Sequence, residues 1–255
     1  MQRPFTIPWF PRVLALGLTL GLAGPGQAEA TEEDDDFHFR PFWVEPADRV
    51  DFGHGHLVGG IDHEMKPEKG TRQRTALPLE ATLGLGAGFS VVLVTESGAM
   101  SIMDDHSRDH GVTRAAKLRY SLPEWNGLHF MVLAGADQAS GHGDTTRSTG
   151  YSLALDTAIG TFGWGQTWDR QRPEDVRSGK EAALNLFRTG LGGDGRWALG
   201  GEIRHAHLAS GTTVNYWLLG VGRVVGKGLM ADLAVGAGSG DQAARRITAG
   251  LSWFF

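Results

Sequence analysis

The sequence contains no cysteine. That excludes disulfides, thiolate catalysis and cysteine-ligated zinc or iron–sulfur sites. Beyond Ala30 it also lacks any run approaching ~20 consecutive apolar residues, so no transmembrane helix is expected there. Basic charge is in deficit: 24 Lys and Arg stand against 29 Asp and Glu, a formal charge of -5. A nucleic-acid partner needs a phosphate-neutralising face, and none is expected. Helical periodicity is nowhere sustained. What is abundant is glycine, 38 of 255 residues. A mean hydropathy of -0.20 would suit a soluble domain, but a β-barrel hides its lipid surface in alternate residues.

The first residues have the pattern of a signal peptide. Arg3 and Arg12 precede the apolar stretch "VLALGLTLGLAG", and "GQAEA" offers small residues at cleavage spacing, after Ala28 or Ala30. The expected organisation is a signal peptide over 1–30, an acidic periplasmic segment over 31–53 and a barrel over 54–255. The run "TEEDDD" in the second part reads as a solvated tail.

From Gly53 onward, segments of about ten residues alternate apolar with polar or small side chains, separated by Gly, Asn, Asp or Pro. This is the signature of an all-β meander. Twelve strands are expected, at 54–65, 72–85, 88–96, 112–122, 127–136, 149–159, 161–169, 179–190, 196–207, 212–225, 228–238 and 244–255. The connections at 86–88, 123–127, 160, 192–195 and 226–228 are tight, whereas 97–111, 137–148 and 170–180 are long, with 208–211 and 239–243 as short exceptions. Short turns at one end, long loops at the other and an even strand count describe an up-and-down antiparallel barrel of the Gram-negative outer membrane, with both termini periplasmic. Expected partners are outer-membrane lipid and lipopolysaccharide, the barrel assembly machinery and a small-molecule permeant, with no cofactor.

Faces separate accordingly. Phe130, Val132 and Ala134 oppose His129, and Leu229, Ala231, Leu233 and Val235 oppose Asp232. The apolar sets are expected to meet lipid. Phe89, Tyr120, Trp125, Phe162, Trp197 and Trp253 are assigned to a periplasmic aromatic girdle, and Tyr151, Trp168 and Tyr216 to an outer one. The opposite face is expected to line a lumen with Glu80, Lys117, Arg119, His129, Asp156, Glu181, Glu202, Arg204, Arg223, Asp232 and Arg246, joined by Asp62, Glu64 and Glu96. Charge is costly against hydrocarbon and tolerated in a wet interior. Such residues either line an aqueous path or pair across a narrow lumen and plug it.

Catalytic signals are weak. A serine hydrolase needs Ser within reach of His, with a third group orienting the imidazole. No Ser joins His54, His56, His63, His205 or His207 in such a motif, so no catalytic residues are assigned. Asp104, Asp105, His106, Asp109 and His110 carry donors suited to a divalent cation, although solvated loops share that composition. "GLGAGF" is a turn, because no helix follows it.

Three stretches, "RPFWVEPADRVDFGHGHLVGGIDHE", "LPLEATLGLGAGFSVVLV" and "GLMADLAVGAGSGDQAARRITAGLSWFF", resemble the MetA-pathway of phenol degradation family of outer-membrane proteins. Asp232 matches an Asp of that family's penultimate strand. The resemblance implies a barrel of about twelve strands that transports hydrophobic or aromatic compounds, and it brings no catalytic residues. The leading expectation is therefore passive uptake through a channel. The alternatives are a lipid hydrolase of the outer-membrane phospholipase A type and a plugged structural or surface-binding barrel.

The chain closes on "ITAGLSWFF", with Leu251, Trp253 and Phe255 on one face. A terminal Phe with apolar residues two and four places earlier resembles the signal read by the outer-membrane assembly machinery. Deleting Phe255 is expected to lower the yield of folded, membrane-inserted protein; normal insertion of the deletion variant would refute that role.

Overall fold

The computed structural model describes residues 47, 49–65, 71–102, 108–141, 144–157, 160–172, 175–209, 211–240 and 244–255. The expected signal peptide and the acidic run lie outside them. Twelve strands follow one another: β1 Gly55–Met65, β2 Thr71–Gly86, β3 Phe89–Ile102, β4 Arg108–Ser121, β5 His129–Gly141, β6 Asp144–Thr157, β7 Gly160–Arg172, β8 Asp175–Leu191, β9 Trp197–His207, β10 Thr213–Gly226, β11 Leu229–Gly240 and β12 Arg245–Phe254. Each pairs antiparallel with its neighbours in sequence, and β12 pairs with β1 to close the barrel. The closing seam runs from His56 opposite Phe254 to Met65 opposite Arg245 without a register break.

Alternation decides which face is which. Along β9, Trp197, Leu199 and Ile203 point outward while Ala198, Glu202 and Ala206 are buried inside. Along β11, Leu233 and Val235 are exposed and Met230, Asp232 and Ala234 are buried. Ile203 is 66% exposed and Leu219 57%. Large aliphatics this accessible would be costly in water, whereas in a bilayer they supply the hydrocarbon-facing band of a spanning barrel. Every ladder bond is made within the wall, so no polar backbone edge faces outward.

The connections that the sequence marked as tight all lie at one end, together with the start of β1 and the end of β12, but at the other end β5–β6 and β7–β8 are separated by only two residues each. The turn at Trp125–Leu128 shows the local cause. Asn126 and Gly127 both have positive φ, 53° and 76°. Trp125 and Leu128 exchange two backbone hydrogen bonds of 3.0 Å. Asn-Gly is the pair that most readily adopts this mirror-image turn, whose twist matches the flanking strands.

At this end, the expected strand limits fall within two residues of those observed. The opposite end is different. The stretches expected as long loops at 97–111, 137–148 and 170–180 are largely ladder: β3 continues to Ile102 and β4 begins at Arg108, β5 reaches Gly141 and β6 starts at Asp144, and β7 runs to Arg172 with β8 starting at Asp175. Glu96 pairs with Thr113 and Gln138 with Arg147. Backbone pairing continues past the apolar band, and polar side chains there suit a solvated sheet as well as they suit a loop.

The girdle assignments need one correction. Phe89, Trp125, Phe162, Trp197 and Trp253 are exposed at the tight-turn end, and Tyr120 stacks on Phe89 at 4.6 Å. Tyr151 and Trp168 sit 5.8 Å apart towards the other end. Tyr216, however, faces inward, and Trp217 takes the outward place at 48% exposure. "YWLLGVG" is apolar on both faces, so period-two alternation cannot fix its phase. Pairing does so, because Trp217 stands opposite the outward Ile203.

Leu219 lies midway along β10, so Leu219→Arg should destabilise the barrel in phospholipid vesicles by about 2–4 kcal/mol. Equilibrium guanidinium unfolding measures this, and a loss below about 0.5 kcal/mol would show that the face does not meet hydrocarbon.

Candidate functional site

The lumen is built from the residues that alternate with the outward band. Among the residues assigned to it, Glu80 (β2), Lys117 and Arg119 (β4), His129 (β5), Asp156 (β6), Glu181 (β8), Glu202 and Arg204 (β9), Asp232 (β11) and Arg246 (β12) occupy the inward set of their strands. Arg223 does not, and the same phase error in β10 explains it. It pairs with the outward Trp197, lies over that indole at 5.0 Å and reaches Asp194 at 3.4 Å. A guanidinium over an aromatic face is a favourable rim contact. The Arg196 backbone N–H, followed by Arg223, holds the Asp194 carboxyl below its usual range.

Two charged layers stand inside. Away from the tight turns, Arg246 forks onto Asp62, Nη2 to Oδ2 at 2.6 Å and Nε to Oδ1 at 3.3 Å, and lies 4.0 Å from Glu64. Arg74 bridges Glu64 at 3.7 Å and also bonds Glu96. Across the barrel, Arg204 donates to Glu181, Nε to Oε2 at 3.1 Å. Tyr216 of β10 lies within the field of Glu64, Arg204 and Arg246. A chain of paired charges thus runs from β12 through β1 and β2 to β3. Paired guanidiniums and carboxylates satisfy each other's hydrogen bonds in a partly desolvated interior.

Nearer the tight turns, Arg119 is only 2% exposed and its Nε lies 3.3 Å from Ser121 Oγ. His56 Nε2 lies 3.6 Å from Glu80. Lys117 acts on both Glu80 and Asp137. Between the layers is a cavity of about 140 Å³, bordered by Lys117, Asp137, Glu181, Ala115, Met131 and Leu133. Gly135, Gly150 and Gly163 border it too. The cavity is therefore amphipathic, with charge on one part of its lining and apolar side chains on another.

The segment before β1 does not stay outside this end of the barrel. Ala47 is fully buried among Val92, Met131, Leu133, Ala154 and Ala183, all inward residues. Its backbone N–H donates to Asp156 Oδ2. Val50 and Asp51 cross Gly84 of β2 so closely that a Cβ there would meet the Asp51 carbonyl oxygen at 1.9 Å. Gly84 is thus required by a close backbone approach. Part of the stretch expected as a periplasmic segment over 31–53 therefore lines the lumen. The sequence signal was Gly84 itself, a glycine on the inward face beside the register shift between Gly84 and Gly86.

Other candidates resolve differently. Among the described residues no group of three or more His, Cys, Asp or Glu could hold a metal. Of the suggested cation ligands, Asp104, Asp105 and His106 lie outside the described residues, as does the Asp109 side chain; His110 is exposed on β4. His205 and His207 face outward, His205 Nδ1 lying 2.6 Å from Asn215 Oδ1 and His207 Nδ1 3.1 Å from Thr213 Oγ1. A His–Asn pair is part of a hydrolase constellation, but Ala182 stands opposite His205 on the other flank.

No family model matches the chain, and no curated protein does. Solved structures do match. An outer membrane channel from Pseudomonas putida F1 superposes with a TM-score of 0.57 at 11% identity, over 83% of this chain and 100% of that one. KdgM porin in complex with disordered oligogalacturonate gives 0.52 at 14% identity, over 78% and 99%. The translocator domain of autotransporter NalP from Neisseria meningitidis gives 0.52 at 9% identity, over 79% and 88%. The chain thus has the fold of outer-membrane channels, along the full length of the first two.

Gly84→Leu should expel Val50 and Asp51 from the wall. The expected signature is faster protease cleavage between Ala47 and Phe52 with the barrel still folded; unchanged cleavage would show that the segment is held elsewhere.

Proposed function

We propose that this protein is an outer-membrane channel for passive uptake of small molecules, with both termini in the periplasm. One observation carries it: a closed twelve-stranded wall, apolar outside, surrounds a charged interior with a cavity. The likeness to solved channels supports the fold, and the start of β1 and the end of β12 share one end of the barrel, which we take as the periplasmic side. The amphipathic cavity, together with the resemblance to the phenol-degradation family, favours small hydrophobic or aromatic permeants. No catalytic role is proposed. Leu251 and Trp253 lie exposed on β12, where with Phe255 they would be available to the assembly machinery.

Among the described side chains, inward carboxylates outnumber inward cations. Asp62, Glu64, Glu80, Glu96, Asp137, Asp156, Asp169, Glu181, Glu202 and Asp232 face Arg74, Lys117, Arg119, Arg177, Arg204 and Arg246. Losing Arg223 from the lumen tips the balance further. A low-dielectric passage lined by one sign in excess concentrates counter-ions, so cations should pass in preference to anions.

A second reading, a barrel plugged by its own N-terminal segment, is favoured by the burial of Ala47 and its bond to Asp156. Planar-bilayer recording separates the two. The channel reading expects discrete, cation-preferring steps from the full mature chain. Steps found only after removal of the residues before Val50 would favour the plug, and a folded barrel silent in both forms would refute conduction.

A further inference from the structure

On the outer surface of β4–β7, Arg114, Gln138, Arg147 and Arg170 stand in direct register across four consecutive strands. Arg147 is immediately opposite Arg170. Like charges directly opposite on one sheet face repel and destabilise the pair. All three arginines are exposed. Among the described residues none of them has an ion-pair or hydrogen-bond partner.

Carboxylates are close in sequence but point the other way. Asp137, Ser148 and Asp169 form the adjacent register row, turned into the lumen. Among the described side chains, the outward face of β4–β7 carries no carboxylate at all. Among the described side chains the wall thus sorts charge by sign, and none of them neutralises the cations outside. The small residues next along the row, Ala116, Ala136 and Thr149, leave the guanidiniums uncovered.

The position of the row specifies the missing anion. Trp168 lies one alternation below Arg170 and packs 5.8 Å from Tyr151, which in turn lies 5.5 Å from Trp164. Aromatic rings of this kind settle at the headgroup boundary. The arginines stand just beyond it, at the end away from the tight turns. Neighbouring strands are about 4.8 Å apart, so Arg147 and Arg170 can share one phosphate while Arg114 reaches a second about 10 Å along the row. Arginine suits this role because its planar donor fork matches phosphate oxygens.

We propose that Arg114, Arg147 and Arg170 bind the phosphates of an outer-leaflet glycolipid, the diphosphorylated lipid A of lipopolysaccharide. This rests on the outer-membrane orientation proposed above, and conduction plays no part in it.

The experiment titrates diphosphorylated lipid A into the folded mature barrel in neutral detergent and reads bound lipid by native mass spectrometry. Arg147→Gln/Arg170→Gln should weaken binding roughly tenfold or more, and Arg147→Lys/Arg170→Lys should weaken it less. Dephosphorylated lipid A and phosphatidylglycerol should bind the native barrel no better than lipid A binds the glutamine variant. Heat-modifiable gel migration confirms that each variant is folded. If the glutamine variant does not fold, the native protein's preference among the three lipids still decides. Equal binding of lipid A with and without phosphates, or to native and glutamine forms, would overturn the proposal. Phosphatidylglycerol binding as tightly as lipid A would overturn the assignment to a glycolipid. Channel activity is recorded separately, so the failure of either idea leaves the other standing.

Discussion

The constraint on which the rest depends is the demand that every backbone N–H and C=O in the wall find a partner within the wall. Hydrocarbon offers none, and an unpaired group costs several kcal/mol. A sheet meets that demand only by closing, so the unbroken seam between β1 and β12 is the decisive contact. Once the sheet closes, each strand has one face outside and one inside. The side-chain period of two then assigns nearly every residue its surroundings.

Inside, closure creates a second problem, because an interior of this width must be filled with something. The protein answers with paired charges in two layers, with apolar side chains such as Met131 and Leu133, and with its own chain at Ala47. The Arg246–Asp62 and Arg204–Glu181 pairs bridge neighbouring strands, stiffening the wall while narrowing the passage. A cavity remains beside Lys117, Asp137 and Glu181, bordered by Gly135, Gly150 and Gly163. On the channel reading proposed above, this interior would admit something small, accommodated partly by charge and partly by apolar contact.

Much of this was legible in the sequence. Turn chemistry such as Asn126–Gly127 is local, and it located the ends of the strands on that side. The outward set of β11 was equally clear, since its inward face carries Asp232 followed by small residues. Three features were not. The far ends of β3–β6 carry polar residues on both faces, so their composition could not separate ladder from loop. In β10 both faces are apolar, the phase was lost, and Tyr216 and Arg223 were placed on the wrong sides. The path of Val50 and Asp51 across Gly84 depends on a contact between segments distant from each other in the final geometry of the wall.

The sequence by itself determined the fold class, the strand number and most of the outward surface. These follow from short-range chemistry: alternation, turn residues and the cost of charge against lipid. Only the tertiary structure decided which charges meet, that the stretch before β1 turns into the lumen, and that Arg114, Arg147 and Arg170 align into one row. Those depend on strand register, which is fixed by the closing of the whole ring, and no single segment carries that information.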